Sequence, residues 1–447
     1  MQNNNDQKIL EKTISLAKKL GASEADAILA RGLSLGVSVR HGGLEDVERS
    51  EGSDLGLRVI IGQKQACVSS SSMDDNSLNN MVERAIAMAK TAPDDPYCGL
   101  ADESDTIPQD PSELDLFDNK SFVAEELEDM ARAVEAAAIE VKGISNSEGG
   151  SAGFGTSEVT LATSKGFMNG YRSSSFSLSV SAIAGEGVGM ERDYDYATTR
   201  HFDDLPRPQK IGLTAAENTL RRLNPRKVKT QRVPIVFDPR VSNGLIGHFA
   251  SAINGSGIAR GTSFLKDHMG KTILNDKISI IDDALMHRGL RSKTFDGEGL
   301  ATGKNTYVKD GVLQSWVLDS ATARQLGLES TARASRGTSS PPSPSVTNLY
   351  MENGDISPED LIADIKDGFY ITELIGMGVN GVTGDYSRGA TGLWIENGKL
   401  TYPVNEVTIT SNLLDMFLNM TPANNLEFRY GSNAPTIRVE GMTIAGE

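Results

Sequence analysis

The stretch from Arg232 to Gly255 constrains this chain more than any other. A strand-like run over residues 232–237 passes through a tight turn into a helix. Leu245, Ile246, Phe249 and Ile253 of that helix fall on one face of a 3.6-residue repeat. Gly255 stands where a left-handed C-cap would end it. Strand, turn and buried helix, with the polar His248 turned inward, is a layout on which many active sites are built.

The donors for metal chemistry are missing there. A zinc-binding peptidase helix needs two imidazoles about one turn apart and a carboxylate beside the metal-bound water. His248 stands alone. Gly244 lies four positions before it and Asn243 five, and neither is a zinc ligand. Asp and Glu are absent from residues 241–266. His248 therefore reads first as a satisfied core histidine on a packing helix.

Composition sets the outer bounds. A chain of 447 residues with a 38% hydrophobic share has room for two or three domains and a sizeable core. Its net charge of −16 argues against an electrostatic nucleic-acid footprint. No apolar run nears the roughly 18 residues that span a bilayer. Residues 1–6 lack the basic start and apolar core of a signal peptide, so a cytoplasmic location is expected. Cys67 and Cys98 are too few for a disulfide framework or a cysteine-built zinc site.

In chain order, helical spacing predicts helices over 6–20, 75–91, 121–141 and 211–223. Between the first two, strands are expected over 33–40, 44–48, 55–61 and 65–70, with turns at His41-Gly42 and Gly62-Gln63. Between the last two, strands are expected over 159–162, 167–172 and 175–184. Helix, meander and helix thus occur twice, a weak internal duplication in pattern. Residues 92–118, acidic and broken by prolines, read as a solvated linker. Beyond 231, Asp310-Gly311 and Asn397-Gly398 are strong hairpin signals, Ser357-Pro358 opens a short helix, and 413–418 forms another. Residues 335–344 read as a structureless loop. The fold class expected is α+β: helix/β-meander units, then a mostly antiparallel β domain with a few helices. The expected divisions are 1–118, 119–230 and 231–447.

Three further stretches invite chemistry. Gly149-Gly150-Ser151-Ala152-Gly153 matches an esterase nucleophile elbow in letters, but that elbow needs a strand before and a helix after. A flexible turn is the expected reading. The glycine-dense segment 376–398 suits close backbone approach, to a bound peptide strand or simply to the bulges of a curved sheet. His201, His268 and His287 are scattered, with no spacing that marks a metal site. Asp282 and Asp283 have no partner assignable from spacing.

With those residues in view, the chain resembles the TldD/PmbA family of peptidases, also called gyrase modulators, and within it the PmbA or TldE branch. The resemblance rests on Gly384-Asp385-Tyr386-Ser387-Arg388-Gly389, Trp394 to Gly398, Lys309 to Leu313, Ala323 to Leu328 and the closing Gly441 to Gly446. It implies a cytoplasmic metallopeptidase in which a TldD-like subunit pairs with a TldE-like one to degrade unfolded peptides. Family members of the TldD kind hold zinc on a His-Glu-x-x-x-His helix with a cysteine near the C-terminus. That motif falls here on Asn243, Gly244 and His248, and residues 429–435 contain no cysteine. The resemblance then implies no catalytic residue and no metal in this chain, with His248 a vestige and zinc in the TldD-like partner. Thr383, Gly384, Asp385, Tyr386, Ser387, Arg388 and Gly389, with the 335–344 loop, are the candidates for a peptide cleft. Arg388 would pair with a peptide carboxylate or with Asp385, and the second, a structural role, is the expected one. The expected partners are the sister subunit, or a second copy in isolation, and an unfolded peptide; nucleic acid and membrane are not expected. Two other readings stay open: an independent hydrolase with an unrecognised site, and an interaction protein acting on DNA gyrase.

Overall fold

The computed structural model describes residues 4–102 and 110–447; 103–109, within the expected linker, lie outside the described residues. The N-terminal half is one antiparallel sheet. Helix α1 (Asn4–Lys19) leads into β1 (Glu24–Arg40), β2 (Gly43–Ile61) and β3 (Lys64–Ser70), and α2 (Asp75–Thr91) follows. Helix α3 (Ala124–Ile139) then precedes β4 (Ile144–Thr163), β5 (Met168–Ala184) and β6 (Glu191–Thr199), and α4 (Pro208–Leu220) closes the half. The strand order is β3-β2-β1-β4-β5-β6. The two helix–meander–helix units are therefore joined edge to edge through the β1–β4 ladder, which runs from Asp26↔Thr163 to Val39↔Gly150.

Strand alternation decides what covers the sheet. Odd positions of β1 face the helices: Ala25, Ala27 and Leu29 pack with α1 and α2, and Leu35, Val37 and Val39 pack with α3 and α4. Even positions, Asp26 and Ile28, face the C-terminal half, where Ile28 and Leu161 meet Phe295. The runs expected at 44–48 and 55–61 are one strand, because backbone pairing with β1 carries on through the polar residues 49–54. The runs expected at 167–172 and 175–184 are likewise one strand, and β6 was not foreseen. The glycine-rich 149–153 stretch is no turn. It lies inside β4, where a Cβ on Gly150 would sit 2.4 Å from the Ala131 carbonyl, so glycine lets α3 lie close to the sheet. An elbow geometry is thereby excluded.

The C-terminal half is built on a closed barrel. Strand β7 (Gln231–Phe237) runs into α5 (Pro239–Ala252), and later come β8 (Asp367–Val379), β9 (Asp385–Glu396), β10 (Lys399–Asn412) and β11 (Ile437–Ala445). β7 pairs parallel with β8 and antiparallel with β11. The β8–β9 and β9–β10 hairpins extend the sheet, and pairing of Thr408–Thr410 with Thr443–Ala445 closes it. Tight curvature explains much of the glycine density: a Cβ on Gly392 would lie 1.9 Å from the Tyr370 carbonyl, and one on Gly378 would lie 2.1 Å from that of Ser387. Asp310-Gly311 and Asn397-Gly398 both turn with two positive φ values, 49° and 77° in each case, the twist that paired strands favour. The helices at Pro358–Ile362 and Leu413–Leu418 form where the sequence placed them. The described chain is α+β, helix/strand units followed by a mostly stranded domain.

Two expected loops are packed elements. Leu100, Leu114 and Leu116 of the acidic linker are buried, and Arg324 donates to the Tyr97 carbonyl at 3.1 Å, so the described parts strap the two halves together. The 335–344 loop starts and ends in a two-residue strand pair, Ala334–Ser335 with Ser343–Pro344. It docks on the N-terminal sheet, where a Cβ on Gly56 would come within 2.3 Å of the Thr338 carbonyl oxygen. Its Arg336 plunges into a buried junction with Asp26, which also accepts from Arg58 Nε at 2.8 Å.

Candidate functional site

Helix α5 begins because Asp238 accepts from the Arg240 amide at 2.9 Å and Pro239 presets the first turn. The Tyr370 hydroxyl donates to the other Asp238 oxygen at 2.8 Å, tying the helix start to β8. Leu245, Ile246 and Phe249 fill the barrel-side core. The helix does not end as expected. Gly255 has no left-handed φ, and it opens a further short helix, Gly255–Ala259, capped by the Asn254 side chain. Its smallness serves close packing, since a Cβ there would meet Leu318 at 2.7 Å.

His248 is not a satisfied core histidine. Its ring makes no hydrogen bond among the described residues and stands edge-on to Tyr386, 5.9 Å between centroids at 81°. It lines a cavity of about 290 Å³ with Ser251, Ser263, Met377 and Arg388. Burial, then the Arg388 charge, pushes the imidazole below its ordinary range. His248 is thus neutral at neutral pH, able to donate one hydrogen bond and accept another.

The glycine-rich segment splits by strand alternation. Tyr386 and Arg388 point toward α5, while Asp385 and Ser387 are exposed on the other face of β9. The expected Arg388–Asp385 pair therefore does not form. Asp385 accepts from Thr383 Oγ1 at 2.6 Å, and Arg388 Nε donates to the Ile375 carbonyl at 3.3 Å. Gly384, at φ +83°, closes the β8–β9 turn, and Gly389 packs beside Ile375. Of the cleft candidates, then, Arg388 lines the cavity and Tyr386 backs His248; Thr383, Gly384, Asp385, Ser387 and Gly389 shape the hairpin. The 335–344 loop lies elsewhere, held at the junction. Sequence reasoning missed the exposed apolar tip of this hairpin, where Ile375, Met377 and Val382 are 57%, 89% and 56% exposed. Apolar residues alternating with glycines were the available signal.

A second cavity, about 300 Å³, lies between β6, α4 and the start of α5. Two of its arginines are matched by acids within the protein: Arg240 donates to Asp193 at 2.9 Å and Arg429 to Asp195 at 2.9 Å. The other histidines sort as follows. His201 and His287 both approach Asp115, at 3.3 and 3.7 Å, but Arg288 occupies the same carboxylate at 2.6 Å. His268 is not with them, and Asp282 is taken by Arg333 at 2.5 Å. Among the described residues, no three His, Cys, Asp or Glu side chains stand together as a metal site would require.

Comparison with known proteins adds the following. The sequence patterns of the PmbA/TldA metallopeptidase domains match in order: domain 1 over 25–89, the central domain over 117–223 and the C-terminal domain over 230–446. The metalloprotease PmbA of Escherichia coli O157:H7 is 36% identical over 445 residues, 98% of this chain and 97% of that one. A crystal structure from Bacteroides thetaiotaomicron, of a protein proposed to modulate DNA gyrase, has a TM-score of 0.90 at 27% identity and covers 100% of both chains. TldE from Thermococcus kodakarensis shares the fold, with a TM-score of 0.85 at 21% identity over 98% and 99% of the two chains.

Proposed function

The chain belongs to the PmbA/TldA metallopeptidase family, and from that premise we propose that it is the zinc-free, TldE-type subunit of a two-subunit cytoplasmic peptidase. One observation carries the reading. On α5, at the positions the metal-binding motif would occupy, the chain offers an amide at Asn243, a bare hydrogen at Gly244 and the single imidazole of His248. An amide and a hydrogen are no zinc ligands, so the residues present do not fit the ion that the family name implies.

Its part in the assembly is then to supply surface. The hairpin tip at Ile375, Met377 and Val382 is an exposed apolar patch beside the His248 cavity, suited to an extended peptide or to the TldD-like sister subunit. The test is metal content together with cleavage of an unfolded peptide, on the purified chain alone and then mixed with its sister subunit. We expect neither zinc nor cleavage alone, and cleavage on mixing. Stoichiometric zinc with cleavage by the chain alone would overturn the assignment.

A further inference from the structure

We propose that the cavity beside His248 binds a carboxylate of the peptide, with Arg388 as its anion-holding group. The proposal rests on the reading of this surface as a peptide cleft. The first argument is charge. Among the described residues no Asp or Glu lines the cavity, and the aspartate nearest in sequence, Asp385, is on the opposite face of β9 and held by Thr383. Arg388 Nε donates to the Ile375 carbonyl, and neither terminal nitrogen has a protein acceptor among the described residues. Elsewhere in this protein the most deeply buried guanidiniums meet acids: Arg58 and Arg336 meet Asp26, and Arg333 meets Asp282. A guanidinium left with both terminal NH2 groups free at the wall of a pocket is a fork shaped for a carboxylate.

The second argument is the unused donors behind it. Tyr386, whose buried hydroxyl has no hydrogen-bond partner among the described residues, lies edge-on behind His248 and does not itself line the cavity. The neutral His248 supplies a further N–H without adding a second charge. A single cation with neutral donors suits a monoanion better than a phosphate dianion, for which several cations would be expected.

The walls supply the rest. Phe264, Met377, Val379 and Leu413 line the same cavity, so an apolar side chain fits next to the carboxylate. Carboxylates of an unfolded peptide come from two sources, its C-terminus and its acidic side chains. The chemistry at Arg388 is the same for both.

The experiment is calorimetric titration of the full-length chain with three peptides. They are N-acetyl-Ala-Ala-Ala-Phe as the free acid, the same sequence as its C-terminal amide, and N-acetyl-Ala-Ala-Glu-Phe amide. We expect amidation to weaken binding at least tenfold, and Arg388→Gln to abolish that difference with an unchanged melting temperature. If the glutamyl amide binds as tightly as the free acid, the carboxylate proposal stands with the side chain as source; if it binds like the plain amide, the C-terminus is the source. Equal binding of acid and amide by the unaltered chain overturns the proposal and leaves the peptide-cleft reading intact. Binding of none of the three overturns it as well. Because these titrations use the chain alone, failure of the two-subunit assignment shows separately, as absence of cleavage on mixing. His248→Gln gives a second variant should Arg388→Gln not fold.

Discussion

Arginine stands under different terms in two regions of this molecule, deep in the interior in one and half-exposed at a cavity wall in the other. At the junction between the halves, Arg58 and Arg336 converge on Asp26, which is 2% exposed, and every charge has an opposite within reach. Beside His248, Arg388 has a carbonyl and, among the described residues, no acid. Removing charge from water is costly, and a protein that keeps the charge supplies the counter-charge itself or leaves the place for something that arrives. The junction follows the first course and serves the fold. The cavity follows the second, which is why the carboxylate site is proposed there.

That contrast can be broken most forcefully at Asp26. Asp26→Ala strands two guanidiniums in the interior, and a loss of about 3–5 kcal/mol is expected in urea unfolding. A loss under 1 kcal/mol would mean the junction is wetter than its geometry implies.

The next test uses pH. Burial, then the neighbouring Asp296 charge, pushes the Glu298 carboxyl up to about 7, from an ordinary 4.5. Below 4.5 both folded and unfolded states carry the proton. Between 4.5 and about 7 the unfolded chain releases it while the native state holds it, so stability falls as pH rises. At about 1.4 kcal/mol per pKa unit, the fall amounts to roughly 3 kcal/mol and is complete above 7. Glu298→Gln keeps an acceptor for the Ser320 amide and should abolish this fall, leaving the variant more stable than the parent at pH 8. Parallel stability profiles for the two proteins between pH 5 and 8 would refute the claim.

Smaller effects are expected on the cavity side. A Cβ at Gly244 meets nothing within 4 Å, and the site is mid-helix, so Gly244→Ala should raise stability by about 0.5–1 kcal/mol. Destabilisation instead would show that α5 packs more tightly there than its neighbours suggest. Arg388→Gln should change stability least, within about 0.5 kcal/mol, because no ion pair is broken. A loss comparable with that of Asp26→Ala would make Arg388 a structural residue and erase the contrast.

Much of this was legible along the chain. The apolar spacing of Leu10, Ile14 and Ala17, and of Leu78, Met81 and Ala85, marks helices because a helix buries one stripe, and those residues are its buried face. Asp310-Gly311 and Asn397-Gly398 mark hairpins because both residues of such a turn need positive φ. The parity of β9 was also there to be used: Asp385 and Arg388 are three apart, and in a strand an odd spacing separates faces.

Other features carried no local signature. Nothing near Asp26 announces Arg336, 310 positions away, or says that residues 335–344 dock on a strand that ends before residue 70. Asp115 drawing His201, His287 and Arg288 together is of the same kind.

By itself the sequence determined the longer helices, the hairpin turns and the lack of zinc donors around His248, because periodicity, φ preference and donor chemistry are properties of neighbouring residues. Only the tertiary structure decided that the two meanders share one sheet, that the C-terminal strands close into a barrel, and that Arg388 faces His248 without an acid beside it. Those outcomes depend on pairings between distant segments, whose free energy is set by burial and register across the whole fold.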